Sequence, residues 1–224
     1  MHRRFFSILL VELLFIACAV QFVQAQDPPK PSARRVHQQR GVPIKSLLRP
    51  GETQLTIVFA RFPPLLVEPL PGTSKAAWKT RRADAVIIGR VESRLSKLTP
   101  DEDWIDTSVQ LKILQILKST GHRSFNVGQE VSFIENGGGL NIEGQQIDAI
   151  VKWASMFEVG KEYLIFTEVN SNNELVFGVA SAYEIVPGGS LRSLFTRLSD
   201  SITESSLNIV LEDIQHNADV VNEK

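Results

Sequence analysis

The sequence predicts a mainly β fold, an antiparallel barrel or sandwich with short flanking helices and two amphipathic helices at its C-terminus. Three observations predict it. Between residues 83 and 187, six or so short runs rich in β-branched and aromatic residues are separated by Gly, Asn and Pro signals, with no long helical pattern between them. Val109, Leu111 and Ile113 alternate with Gln110 and Lys112, the period of two expected of a half-buried strand. Beyond residue 188, Leu191, Leu194, Phe195 and Leu198, then Leu207, Val210, Leu211 and Ile214, recur at helical spacing.

The elements follow in chain order. Residues 1–25 read as a secretory signal peptide: Arg3 and Arg4 precede an apolar run over 5–23, and Val23-Gln24-Ala25 offers a small-residue cleavage pattern. The chain is therefore expected to be secreted or periplasmic, cleaved after Ala25. An uncleaved membrane anchor is the alternative, and Glu12 is the costly residue in either case. Cys18 is the only cysteine, and the stretch FIAC resembles a bacterial lipobox, in which that cysteine would carry lipid. A membrane partner is expected only on one of those two routes. Cleavage after Ala25 leaves no cysteine, which excludes a disulfide scaffold, a thiol redox enzyme and a cysteine hydrolase.

Residues 26–53 hold Pro28, Pro29, Pro31, Pro43 and Pro50 with six basic residues, and read as a flexible, basic, Pro-rich linker. Such an arm can be a plain spacer, or can touch anionic lipid or cell-wall polymer. Residues 54–82 supply a strand (LTIVFA, 55–60), a proline-rich extended stretch, and a short helix over 74–82 capped by Ser74 and anchored by Trp78.

The strands of 83–187 follow: ADAVIIGRV with Gly89 at a sharp bend, the run through Val109 to Leu117, GQEVSFIE, one or two short strands around Gly144, then EYLIFTEV and LVFGVAS flanking the turn Asn170-Ser171-Asn172-Asn173. Tyr183 to Val186 adds a last short strand before Pro187-Gly188-Gly189. Residues 188–224 are the C-terminal helices and tail, with Thr203, Ser205 and Ser206 supplying cap-type residues between them.

The string ADAVIIGRVES, a strand ending at Leu117-Lys118, GQEVSF, the triple glycine and FEVGKEYLIF resembles the netrin-like, or tissue-inhibitor-of-metalloproteinase-like, domains, and more closely their bacterial relatives. The pieces that carry the resemblance are Ala83-Asp84, Gly89-Arg90-Val91, and Phe157-x-x-Gly160-x-Glu162-Tyr163-Leu164-Ile165-Phe166. It covers roughly residues 83–187 and implies an OB-type antiparallel β-barrel. The animal inhibitors chelate their target's zinc through an N-terminal cysteine, and a chain beginning at Gln26 has none, so the resemblance implies fold and binding rather than that inhibition.

Sequence chemistry is sparse. His37, His122 and His216 lie far apart without HxH or HExxH spacing, and no GxSxG elbow is present. Asp101, Glu102, Asp103 and Asp106 form an acidic knot, read as an exposed loop or a weak calcium site. Gly137-Gly138-Gly139 matches no phosphate-binding pattern and reads as a hairpin tip or bulge. Phe133, Tyr163, Phe166 and Phe177 sit in strands poor in Lys and Arg, so nucleic acid is not an expected partner. With 24 Lys+Arg against 25 Asp+Glu, there is no chain-wide pull toward polyanions either.

Trp104 and Trp153 flank loops, where an indole is either packed or offered to sugars and partner proteins. The functional expectation is an exported, non-enzymatic binding module without a cofactor. Its ligand would be a protein or an envelope polymer, met around Trp104, Gly137, Gly138, Gly139 and Trp153. The rivals are a secreted hydrolase using scattered carboxylates, and a structural subunit assembling through its C-terminal helices.

Overall fold

The computed structural model describes residues 32–37, 41–59, 73–120, 124–152, 154–169, 175–176, 182–194 and 206–218. The signal segment, Trp153, the prolines at 63–71, the turn at 170–173 and residues 195–205 lie outside them.

The chain is mainly β, in two sheets. The larger holds β3 (Ala85–Leu98), β4 (Ile105–Ser119), β5 (Glu130–Asn136), β8 (Glu162–Val169), β9 (Leu175–Val176), β10 (Ala182–Val186) and β11 (Ser190–Ser193). Its order is β11-β10-β8-β3-β4-β5, with β9 also on β8, and every pair is antiparallel. The sheet ends at β5 and β11 and does not close into a barrel among the described residues, although β9 lies beside β5.

The smaller sheet corrects the expectation for 83–187. Here β6 (Gly138–Ile142) and β7 (Gln145–Val151) leave the main sheet and join β1 (Ser32–His37) and β2 (Glu52–Phe59) in the order β1-β2-β7-β6, with β1, β2 and β7 parallel. The flexible linker expected over 26–53 is corrected as well. Within it stand β1, a 3-10 turn (Ile44–Leu47) and the start of β2. Scattered apolar side chains outweigh the prolines: Ile44 is fully buried, Val36, Leu47 and Leu48 pack against the small sheet's core, and Arg34 pairs with Glu52 and the Leu47 carbonyl.

The helix over 74–82 is α1 (Lys75–Arg82), its first turn capped by Ser74 Oγ accepting from the Ala77 N–H at 3.0 Å. Its buried side is Ala76, Ala77 and Thr80, whereas Trp78 is half-buried under the Arg82 guanidinium. The first of the two expected C-terminal helices is not there at its start: Ser190–Ser193 is a strand. The Pro187-Gly188-Gly189 turn folds the chain back on β10, and antiparallel pairing buries Leu191. The second is α2 (Leu207–Asn217), joined to α1 by Arg81 on Asn217 Oδ1. No helix among the described residues is long and apolar enough to cross a membrane.

Alternation sorts the β3 side chains between two cores. Val86 and Ile88 join Leu164, Phe166 and Tyr183 on the face covered by α1 and α2. Ile87 and Val91 face the opposite way, with Leu111, Ile113, Val131 and Ile165. Phe125 and Phe157 plug this second core, Phe157 edge-on to Phe133 and Tyr163 at 4.9 and 4.7 Å. The two plugs belong to one repeated loop, Phe-x-Val-Gly-x-Glu, at 125–130 and 157–162.

In each copy the phenylalanine is buried, the valine exposed and the glycine at positive φ, +86° and +83°. Gly128 N–H donates to Ile113 O at 2.7 Å and Gly160 N–H to Val91 O at 2.8 Å, while Ile113 and Val91 donate back to Gln129 and Lys161. The copies lie on the two flanks of the β3–β4 hairpin, and each starts the strand that follows it.

Gly89 sits where the β3–β4 register shifts, and a Cβ there would lie 2.4 Å from Leu111 Cδ2 and 2.7 Å from its Cγ. Leu111 is fully buried and cannot swing away. Gly89→Ala is expected to cost about 1–3 kcal/mol of stability, read as a lowered urea midpoint.

Candidate binding surface

Trp104, Gly137 and Gly138, three of the residues expected to form a contact surface, are buried. Trp104 is 1% exposed, in the core between β2, β7 and the start of β4, tilted against Phe59 at 5.3 Å. The acidic loop before it is a clamp rather than a calcium site. Asp103 Oδ2 accepts from Gly41 N–H at 2.7 Å, Asp103 Oδ1 accepts from Thr99 Oγ1 at 2.9 Å, and Glu102 O accepts from Ile44 N–H. Among the described residues no three His, Cys, Asp or Glu side chains gather as a metal site. The Trp104 Nε1–H, buried, finds no acceptor among the described residues.

The triple glycine is neither a tip nor a loop but the crossing from β5 in one sheet to β6 in the other. Gly137 and Gly138 are buried and only Gly139 is exposed. A Cβ on Gly138 would fall 2.1 Å from Thr107 Oγ1 and 2.5 Å from Ser96 Oγ, and one on Gly137 would fall 2.6 Å from Ala149 O. Trp153 lies outside the described residues. Of the five positions, the structure thus brings the glycines to the sheet junction and Trp104 to a core.

Beside the crossing runs a half-buried polar row. Thr107 Oγ1 donates to Gly137 O at 2.6 Å, which leaves Ser96 Oγ as donor to Thr107 at 2.8 Å. Glu135 Oε2 accepts from Arg94 Nη2 at 2.9 Å, and Oε1 from the Phe157 N–H at 3.0 Å. One carboxylate therefore ties β5, β3 and the second repeated loop together.

Burial pushes the Glu135 carboxyl above its usual range, opposed by the Phe157 N–H and by Arg94. A carboxyl whose folded-state value is raised contributes stability at low pH that is lost as pH rises through that value. Relative to Glu135→Gln, the native protein is therefore expected to lose stability as pH climbs from about 4.5 toward neutrality, read as the pH dependence of the difference in urea midpoints. If that difference stays flat with pH, or runs the other way, the buried-carboxylate reading is wrong.

The other face of the same strands is open to solvent. Register places Ser93, Gln110 and Ser132 in one row, Leu95, Ser108 and Ile134 in the next, and Lys97, Asp106 and Asn136 in a third. Helices α1 and α2 cover the opposite half of the sheet. Leu95 is 71% exposed and Ile134 54%, standing on either side of Ser108, about 10 Å apart across two strand spacings. Two aliphatic side chains thus rise among serines and amides, with Lys97 and Asp106 one row away, and the Arg94–Glu135 pair and the Ser96–Thr107 hydroxyls lie on the reverse face.

Charge elsewhere is spent on structure. Desolvation raises Glu184, but hydrogen bonds and charge from Arg192 and Lys161 outweigh it and hold its carboxyl below the usual range. Lys118 reaches under the end of α1 to donate to Thr80 O at 2.7 Å, and burial lowers it against the pull of Asp84. No protein-family model matches this sequence, and no curated protein matches it.

Proposed function

We propose that this chain is an exported, non-enzymatic binding module that holds a protein or an envelope polymer against the solvent face of β3, β4 and β5. The observation that carries the reading is the exposed pair Leu95 and Ile134 among the uncharged Ser93, Gln110, Ser108 and Ser132, since large apolar side chains set in an open sheet face favour contact with a partner. Export rests on the leader-like residues 1–25.

Kinship with the netrin-like, OB-type barrels belongs to the same proposal. The β3-β4-β5 meander, β8 antiparallel to β3, and the β8–β9 hairpin lying beside β5 support it, because together they follow the path of a sheet curling toward closure.

A photo-activated cross-linking residue at 95 or 134, with the protein in its producing cell, tests the contact surface. The reading expects discrete adducts from these two positions and none from exposed Gln146 on the small sheet. Equal yields from all three would overturn it.

A further inference from the structure

We propose that the outer edge of β1 accepts an extended acidic peptide by strand addition, lengthening the four-stranded sheet by one strand. This goes beyond the contact face above and uses a different sheet. Among the described residues, strand β1 ends that sheet and pairs with β2 alone. In a parallel ladder, alternate residues of an end strand direct N–H and C=O outward, a template for another chain. Among the described residues, no main-chain hydrogen bond reaches that side of β1.

Its side chains choose the partner. Arg34 is neutralised by Glu52 and anchored on the Leu47 carbonyl. Ala33, Arg35 and His37 share the other face and are exposed, and Arg35 makes no ion pair among the described residues. A second copy of β1 fits poorly, because antiparallel self-pairing centred on its exposed face sets Arg35 against Arg35 of the other chain. A strand with a carboxylate at alternate positions matches both the main-chain ladder and the free guanidinium. A sugar polymer cannot make the ladder.

The probe is a labelled ten-residue peptide alternating Thr and Glu, titrated into the purified protein, with two controls: Lys in place of Glu, and Pro at alternate positions. The Thr–Glu peptide is expected to bind saturably and to slow amide exchange over 32–37. Arg35→Glu is expected to weaken it at least tenfold with an unchanged melting temperature, and both controls are expected to fail. Equal binding of the proline peptide, equal binding of the lysine peptide, no loss in Arg35→Glu, or no binding at millimolar peptide would each overturn the proposal. So would a concentration-dependent dimer that Arg35→Glu abolishes, since a second copy would then be the occupant. None of these results bears on cross-linking from 95 and 134, so the two readings fail separately.

Discussion

Gly138→Ala is expected to cost about 3 kcal/mol or more, enough to unfold much of a marginally stable domain, because overpacking and a left-handed backbone add at one position. The glycine sits at φ +140°, and its absent Cβ would lie 2.1 Å from Thr107 Oγ1, 2.5 Å from Ser96 Oγ and 3.2 Å from Ser96 Cβ. Neither hydroxyl is free to turn: Thr107 is committed to Gly137 O and Ser96 to Thr107. Removing both, as Ser96→Ala with Thr107→Ala, is expected to recover only part of the loss, because the backbone cost remains. Urea unfolding of the native protein, Gly138→Ala, Ser96→Ala/Thr107→Ala and all three substitutions together checks this. Full tolerance of Gly138→Ala would mean that the crossing between the sheets is not buried as described. Gly139, exposed beside Asp148 and Gln146, is expected to accept alanine far more readily.

Trp104→Ala is expected to cost about 3–5 kcal/mol, the loss typical of emptying a buried aromatic site. Trp104→Phe is expected to stay within about 1 kcal/mol of the native protein, because the smaller ring still meets Phe59 while the substitution removes a buried N–H that finds no acceptor among the described residues. The pair of substitutions separates packing from polarity. A surface-exposed indole would make both nearly neutral; an indole held by an unseen acceptor would make Trp104→Phe nearly as costly as Trp104→Ala. Chemical denaturation with intrinsic fluorescence from Trp78 and Trp153 retained reads both.

How much of this was legible depends on how local the cause is. The period of two in Val109, Leu111 and Ile113 survives as three fully buried residues on one face of β4, and Ser74 caps its helix as its side chain suggests. What escaped the sequence is long-range. The parallel pairing of β2 with β7 joins residues some ninety positions apart, Leu55 with Ile147 and Ile57 with Ala149, and no local pattern announces it. For the same reason the triple glycine reads as a loose tip until the second sheet is there to receive it, and Trp104 reads as a loop residue until Ile44 and Phe59 close over it.

Leu191 and Leu194 keep helical spacing by accident. One is buried by pairing with β10 and the other where the strand ends, since Leu194 N–H donates to Ala182 O. Strand β1 was hidden by its charge, because Val36 alone gives it an apolar side chain on the core face. One signal does lie in the sequence itself. Phe-x-Val-Gly-x-Glu occurs twice, and taken as a pair it marks two equivalent plugs on either flank of the longest hairpin.

Hydroxyl-radical footprinting of side chains, on the protein alone and then with extract of the compartment that holds it, tests the assignment of the contact face most directly. Heavy labelling of Leu95 and Ile134 in the free protein is expected, with almost none at Trp104, and loss of label at Leu95 and Ile134 once the extract is present. Strong labelling of Trp104 in the free protein, or protection that falls on the 99–104 loop while Leu95 and Ile134 keep their label, would contradict it.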